Sequence, residues 1–294
     1  MIPPRVLIIA GSDSGGGAGI QADIKTVTML GGFAMTAVTA LTAQNTLGVQ
    51  AVMPVPAEMV IAQIDSVVSD LGVDAVKIGM IGSPETAQAV ADRLEALSVP
   101  IVFDPVMVAT SGSVLADEAT IAAFGRLMRI ATVTTPNRLE LGALAGTSIE
   151  SEFDQQAAAE TLMRDAGCTA ILAKGGHWTG GRVRGTTADG GQFDLPSEDC
   201  VFDDLYMTGP NGWQECSWHH ERIETRHTHG TGCTLASAIA TGLGQGLGLS
   251  EAIVSARAYV LAALRAAPGF GSGHGPMGHT LGESPFALIH RKSQ

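Results

Sequence analysis

Residues 227–234 read His227-Thr228-His229-Gly230-Thr231-Gly232-Cys233-Thr234 and run into the small, apolar stretch Leu235-Ala236-Ser237-Ala238-Ile239-Ala240. A helix begun there leaves its first N–H groups unpaired and turns the positive end of its dipole toward whatever precedes it. No bulky side chain in the turn keeps a ligand from the backbone, so the chemistry on offer is anion binding. Cys233 would hold its thiol at that helix terminus, where a thiolate is favoured, and a depressed pKa is expected for it. The alternative is a tightly packed small-residue turn around a buried, inert cysteine.

A second glycine cluster, Gly11-Ser12-Asp13-Ser14-Gly15-Gly16-Gly17-Ala18-Gly19, follows an apolar run over residues 5–10 and precedes a helical stretch from about Ile20. Within it, Gly17-Ala18-Gly19-Ile20-Gln21-Ala22 fits the G-x-G-x-x-G/A dinucleotide pattern. That pattern requires an acid for the ribose at the end of the next strand. The chain offers Gln44-Asn45 there, and no acidic residue lies between Lys25 and Glu58, so a nicotinamide oxidoreductase is disfavoured. A second match over residues 273–278 follows no strand and opens no helix. The Walker A pattern does not occur, which excludes a P-loop phosphate cradle.

Residues of this kind work only if a scaffold holds them, and the scaffold shows in the hydrophobic pattern. Apolar runs rich in β-branched residues over 5–10, 36–43, 75–80, 101–106, 132–135 and 170–174 read as buried parallel strands. Between them, 57–71, 84–97 and 154–166 carry apolar residues at spacings of three and four and read as helices. Ser83 followed by Pro84 marks a capped helix start. Strand and helix in alternation imply an α/β fold, a mainly parallel central sheet with helices on both faces and right-handed crossovers. The 294 residues fit one large domain spanning 1–294; no linker and no internal repeat interrupts them.

The segment from about 177 to 226 departs from this pattern. It has glycine turns, no helical period and three tryptophans, Trp178, Trp213 and Trp218, and reads as a β-ribbon-like insertion standing off the main sheet. It also holds Cys200, Cys216, His219 and His220, at a spacing that matches no recognised zinc pattern. The four cysteines are far apart in a large chain and read as free thiols. Seventeen basic against 29 acidic residues give a net charge of −12 with no basic cluster, so nucleic acid and anionic membranes are poor partners. The early apolar run, Val6 to Ala10, is far short of the roughly 20 residues that span a membrane, and a cytoplasmic protein is expected.

Set in order, Gly11-Ser12-Asp13 with Gly19-Ile20-Gln21-Ala22-Asp23, Thr42-Ala43-Gln44-Asn45-Thr46, Lys77-Ile78-Gly79-Met80, Asp104-Pro105-Val106-Met107, Thr135-Pro136-Asn137-Arg138-Leu139-Glu140, Lys174-Gly175-Gly176-His177 and the segment 229–234 closely resemble the hydroxymethylpyrimidine/phosphomethylpyrimidine kinases of thiamine biosynthesis. These belong to the ribokinase superfamily, and the resemblance runs from residue 5 to about 265. It implies a ribokinase-like fold and ATP-dependent phosphorylation of 4-amino-5-hydroxymethyl-2-methylpyrimidine, then of its monophosphate. A synthase domain, found fused to some members, is not expected after residue 265. Related kinases acting on pyridoxal or a hydroxyethylthiazole are the nearest alternative, and a non-catalytic pyrimidine-binding protein is another.

By the same resemblance, Asp23 and Gln44 contact the aminopyrimidine in a pocket lined by Gly11, Ala18, Met80 and Val106. A carboxamide pairs a donor with an acceptor, which suits a ring nitrogen beside an amino group. Cys233 takes the place of the base of related sugar kinases, while Gly230, Thr231 and Gly232 stabilise charge on the transferring phosphoryl group. Asn137 and Glu140 form an N-x-x-E pattern for phosphate and Mg2+, with Asp104 as a further metal ligand and Lys174 with Asn137 toward ATP. The resemblance leaves K+ open as an additional cofactor and implies a homodimer.

Overall fold

Every side chain of the segment Val6 to Ala10 is buried, and alternation sends Val6, Ile8 and Ala10 to one face of the first strand and Leu7 and Ile9 to the other. This strand, β1 (Arg5–Asp13), lies inside the sheet, third from one edge, in the computed structural model, which describes residues 2–109, 112–176, 182–186, 192–209 and 212–280. Each buried Leu, Ile or Val contributes about 1.5–3 kcal/mol, so a strand apolar on both faces is stable only between two layers of helix.

Those layers are present. Toward Leu7 and Ile9 pack α2 (Ala57–Asp70), α3 (Pro84–Leu94), α4 (Glu118–Ile130), α5 (Arg138–Ala145) and α6 (Glu152–Asp165). Toward Val6, Ile8 and Ala10 pack α1 (Gly19–Met29), α7 (Thr231–Gly244) and α8 (Leu249–Arg265). The Ser83 hydroxyl accepts from Thr86 N at 3.2 Å with Pro84 inside the helix start, as the sequence leads one to expect.

The remaining strands are β2 (Phe33–Asn45), β3 (Gly48–Pro54), β4 (Ala75–Ile78), β5 (Ile101–Phe103), β6 (Val133–Thr134), β7 (Ala170–Gly176), β8 (Arg182–Thr186), β9 (Gln192–Pro196), β10 (Cys200–Gly209) and β11 (Gly212–Glu221). Nine of the eleven form one sheet in the order β11-β10-β7-β6-β5-β4-β1-β2-β3. Its centre, β7 through β2, is parallel, and β3, β10 and β11 run antiparallel at the two margins. Because β2 lies on one side of β1 and β4 on the other, the winding reverses at β1. A crevice opens at the carboxyl ends of the strands at such a reversal.

The insertion needs correction. Its first half does form a detached hairpin, β8 with β9, but its second half is no separate excursion: β10 pairs with β7, and β11 with β10, so the main sheet continues into it. Leu205 and Tyr206 are buried in the core, on opposite faces. The adjacent Asp203 and Asp204 interrupt the apolar residues of β10, so a search for continuous apolar runs misses it. Trp213 stacks on Tyr206 at 5.6 Å between ring centroids, and Trp218 packs against the core; Trp178 and His177 lie outside the described residues. Cys200 and Cys216 face Glu221 and Leu205 across the β10–β11 ladder, and all four cysteines are free.

Residues 273–279 close the molecule as a strap. His274 N donates to Thr46 O, Gly275 O accepts from His229 N, Gly278 N donates to Ala263 O, and the His279 ring meets the Thr234 hydroxyl at 2.9 Å. Among the described residues no helix is long and apolar enough to cross a membrane.

Candidate active site

The crevice at the strand ends is a cavity of about 700 Å³. Residues at or just beyond the ends of the parallel strands build its floor: Gly11 to Asp13 at the end of β1, Met80 after β4, Asp104 and Val106 after β5, Asn137 after β6, and Lys174 and Gly175 in β7. One wall is the first turn of α7, and the other is made by β10, β11 and α8. Gly11, Ala18, Gln44, Met80, Val106, Asp104, Asn137, Glu140, Lys174, Gly230, Thr231, Gly232 and Cys233 thus line a single cavity, although they come from positions 11 to 233.

The glycine-rich turn after β1 is organised by Asp13. Its carboxylate accepts from Gly15 N at 2.8 Å, Gly17 N at 3.0 Å and Ala18 N at 2.8 Å, and meets His229 Nε2 at 2.9 Å. Burial pushes the Asp13 carboxyl up, but the bonds from His229 and these backbone groups outweigh it and hold it below the ordinary range. The Gln44 carboxamide lies 3.2 Å from the same His229 nitrogen, at the mouth of the turn. Asp13 and His229 therefore tie the first glycine cluster to the second.

Gly230 caps α7 with φ of 87°, and a Cβ there would lie 1.9 Å from Gly17 O, so no other residue fits this junction. The helix has no side-chain cap and no acid in its first turn. Thr234 N reaches Gly230 O, and Thr231 N reaches Thr228 O, which leaves the N–H groups of Gly232 and Cys233 without an acceptor among the described residues. They face the cavity beneath the positive end of a 14-residue helix.

Beside this turn stand the charged groups. Lys174 Nζ is 2.5 Å from Asp104 Oδ1, and would lie 3.0 Å from a Cβ on Gly232. Burial opposes the Lys174 charge, and Asp104 with Glu140 outweighs it, raising the ammonium further. Asn137 and Glu140 form a capping box at α5: Glu140 N donates to Asn137 Oδ1 at 2.9 Å and Asn137 N to Glu140 Oε2 at 2.8 Å. Burial, with the nearby Asp104 carboxylate, lifts the Glu140 carboxyl to about 7 against Lys174 and the Asn137 and Met107 backbone donors. Two neighbouring carboxylates, one held partly protonated chiefly by burial, suit a divalent cation. Mg2+ takes one or two carboxylates and completes its shell with water and phosphate, so Asp104 and Glu140 fit it, although the described residues contain no cluster of three or more ligands.

Two expectations fail here. Asp23 does not reach the cavity: it is fully buried behind it in α1, 2.8 Å from Lys77 Nζ and bonded by Ser237 Oγ at 2.7 Å. An acid in the first turns of α1 can face the pocket or the core, and the helix phase turns this one toward the buried lysine at the end of β4. Nor is the Cys233 thiol activated. Burial lifts it to about 11, and the nearby Asp23 and Asp104 carboxylates add to this against Lys77 and a Gly19 backbone bond, so it is a neutral thiol at neutral pH. The helix dipole alone does not overcome desolvation.

Sequence reasoning missed Asp13 and His229 as a pair, although both stand inside motifs it singled out. It also missed the opposite wall, where Arg257 Nε donates to Asp203 at 2.6 Å and Arg257 Nη2 donates to His220 Nδ1 at 3.0 Å. Asp203 in turn accepts from Gly175 N at 2.9 Å. Burial, reinforced by Arg257, holds the His220 ring down to about 4, so it is neutral and accepts. Only tertiary contact across 54 residues of sequence joins Arg257 to Asp203, and no local pattern announces it.

Comparison with known proteins agrees with this geometry. A family profile described as phosphomethylpyrimidine kinase matches residues 13–278. The hydroxymethylpyrimidine/phosphomethylpyrimidine kinase of Rhizobium meliloti (strain 1021) is 47% identical over 279 residues, covering 93% of this chain and 96% of that protein. Among solved structures, the pyridoxal kinase of Staphylococcus aureus in complex with pyridoxal superposes with a TM-score of 0.79 at 30% identity, over 95% of this chain and 94% of that one. The phosphomethylpyrimidine kinase of Clostridium difficile 630 superposes with a TM-score of 0.69 at 33% identity, over 88% and 98%.

Proposed function

The chain belongs to the phosphomethylpyrimidine kinase family, and from that premise we propose that it phosphorylates 4-amino-5-hydroxymethyl-2-methylpyrimidine with ATP and then phosphorylates the monophosphate, in thiamine biosynthesis. The observation that carries the reading is the placement, in one cavity, of an uncapped helix N-terminus, the Lys174–Asp104 pair and the Gln44 carboxamide. Phosphoryl transfer asks little covalent chemistry of a protein; it asks for positioning and for charge stabilisation.

Gln44 offers the aminopyrimidine edge a donor and an acceptor, with Gly11, Ala18, Met80 and Val106 around the ring. The N–H groups of Gly232 and Cys233 and the Lys174 ammonium stabilise negative charge on the transferring group. Cys233, as a neutral thiol, packs beside the hydroxymethyl group and does not serve as a thiolate base. The loose transition state demands little early deprotonation of the nucleophile. Asp104 and Glu140 would hold Mg2+, which supplies charge neutralisation between phosphate oxygens. A cytoplasmic homodimer is part of the same reading; Leu41, Val52 and Met53, exposed at the β2–β3 margin, offer apolar surface that a second copy would cover.

The likeness to pyridoxal kinase supports a second reading, in which pyridoxal is also an acceptor. Incubation with ATP, Mg2+ and, separately, the pyrimidine, pyridoxal and hydroxyethylthiazole, with products read by mass spectrometry, tests both. Mono- and diphosphorylated pyrimidine are expected; phosphorylation of pyridoxal alone would overturn the first reading.

A further inference from the structure

The cations around the cavity can be matched until two remain. Asp13 faces His229, Asp104 faces Lys174, Asp203 faces Arg257, and Lys77 is held by Asp23. Arg138 and Arg222 also line the cavity, each half-buried, and neither guanidinium has a hydrogen-bond or ion-pair partner among the described residues.

Arg138 stands in the less comfortable place. It is the first residue of α5, where a cation meets the positive end of the helix dipole. The acid of the same turn, Glu140, lies two positions away, off its face, and accepts from Asn137 N instead. Nothing in the fold explains a partly desolvated guanidinium at such a point, whereas an anion in the cavity would. Its neighbours say which anion. Asn137 bridges to Lys174, and Lys174 N donates to Pro136 O at 3.0 Å, so α5 begins beside the strand end whose ammonium reaches the Gly232 turn.

We propose that Arg138 is a further phosphate-binding residue of the transfer site, gripping phosphoryl oxygens brought by the nucleotide or by the phosphorylated pyrimidine. The inference rests on the kinase reading. A guanidinium presents a planar fork that matches two phosphate oxygens at once, which a lysine cannot do.

Titration calorimetry on the purified chain tests it, with ATP, adenosine, the hydroxymethylpyrimidine and its monophosphate as ligands. Arg138→Ala should weaken ATP, the pyrimidine monophosphate, or both by roughly 10–100-fold, with adenosine and the unphosphorylated pyrimidine within about twofold of the parent. The ligand that weakens identifies the source of the phosphate. Arg138→Lys should recover part of the loss, and if Arg138→Ala melts early, Arg138→Lys against Arg138→Gln carries the same comparison. Equal affinities of parent and variant for every phosphorylated ligand would overturn the inference and leave the kinase reading standing, as would an equal loss for ATP and adenosine. A parent chain that binds neither ATP nor the pyrimidine would overturn both.

Discussion

Two lysine–aspartate pairs stand on either side of the start of α7, and they differ in one respect. Lys77–Asp23, at 2.8 Å, is sealed, with both side chains fully buried; Lys174–Asp104, at 2.5 Å, opens on the cavity, with 13% of the lysine side chain exposed. Both lysines come from strands of the same parallel sheet and both bear on Cys233. The sealed pair is completed by Ser237, so α1, β4 and α7 are pinned together by groups shut away from solvent. Burial opposes the charge on Lys77, and Asp23 with Asp104 keeps it charged all the same. The same chemical pair therefore braces the fold in one place and offers charge to a substrate in the other. Water access decides which.

The largest effect should come from breaking the sealed pair. Lys77→Ala leaves Asp23 buried without its counter-ion and should cost about 3–5 kcal/mol, a large part of an ordinary domain's total stability, measured by urea denaturation. The double variant Asp23→Leu with Lys77→Met should regain most of that loss, since an apolar pair of similar volume needs no partner. A Lys77→Ala chain of parental stability would erase the contrast between the two pairs.

Lys174→Ala sharpens the contrast from the other side. It should lower kcat/KM roughly 10²–10³-fold, or about 2.7–4 kcal/mol, with a smaller fall in denaturation midpoint than Lys77→Ala, because water can reach the Asp104 it uncovers. A variant that loses stability in step with activity would make both pairs structural.

The smallest effect is a pH dependence at the open pair. Glu140, near 7 in the fold against an ordinary 4.5, keeps its proton over that window while the unfolded chain has released it. Stability from this group therefore declines as pH rises from 4.5 to 7. Mg2+ binding runs the opposite way, since a cation needs the carboxylate: the apparent Mg2+ affinity in steady-state kinetics should strengthen as pH rises through about 7. Glu140→Gln should flatten that profile. An unchanged profile would remove Glu140 from the metal site.

The central sheet was legible because β1, β5 and β7 are buried on both faces and so carry unbroken apolar runs. β3, five of whose seven residues are exposed, has no such run, and in β10 the adjacent Asp203 and Asp204 break the run. The site was legible wherever one short segment holds several groups, as in Gly230 to Cys233 or Asn137 to Glu140. It was not legible where function depends on which way a side chain turns. Asp23 points to the core, and Cys233 is shielded so well that its position at a helix terminus does not ionise it. The Arg257–Asp203–His220 cluster was invisible for a third reason: its members meet only after β10 and β11 have joined the sheet.

The strap of residues 273–279 sets an order of events during synthesis. The sheet and the first seven helices are complete by residue 244, yet the His229 backbone waits for the Gly275 carbonyl, Thr234 for the His279 ring, and Thr46 for His274. A chain leaving the ribosome from its N-terminus can thus assemble its core before it can finish its cavity. Nascent chains halted before residue 273 would be folded in the main yet lack the Gly275 and Pro276 backbone contacts that steady His229 at the α7 turn. Competence arrives late, on the strength of seven residues that contribute no strand and no helix.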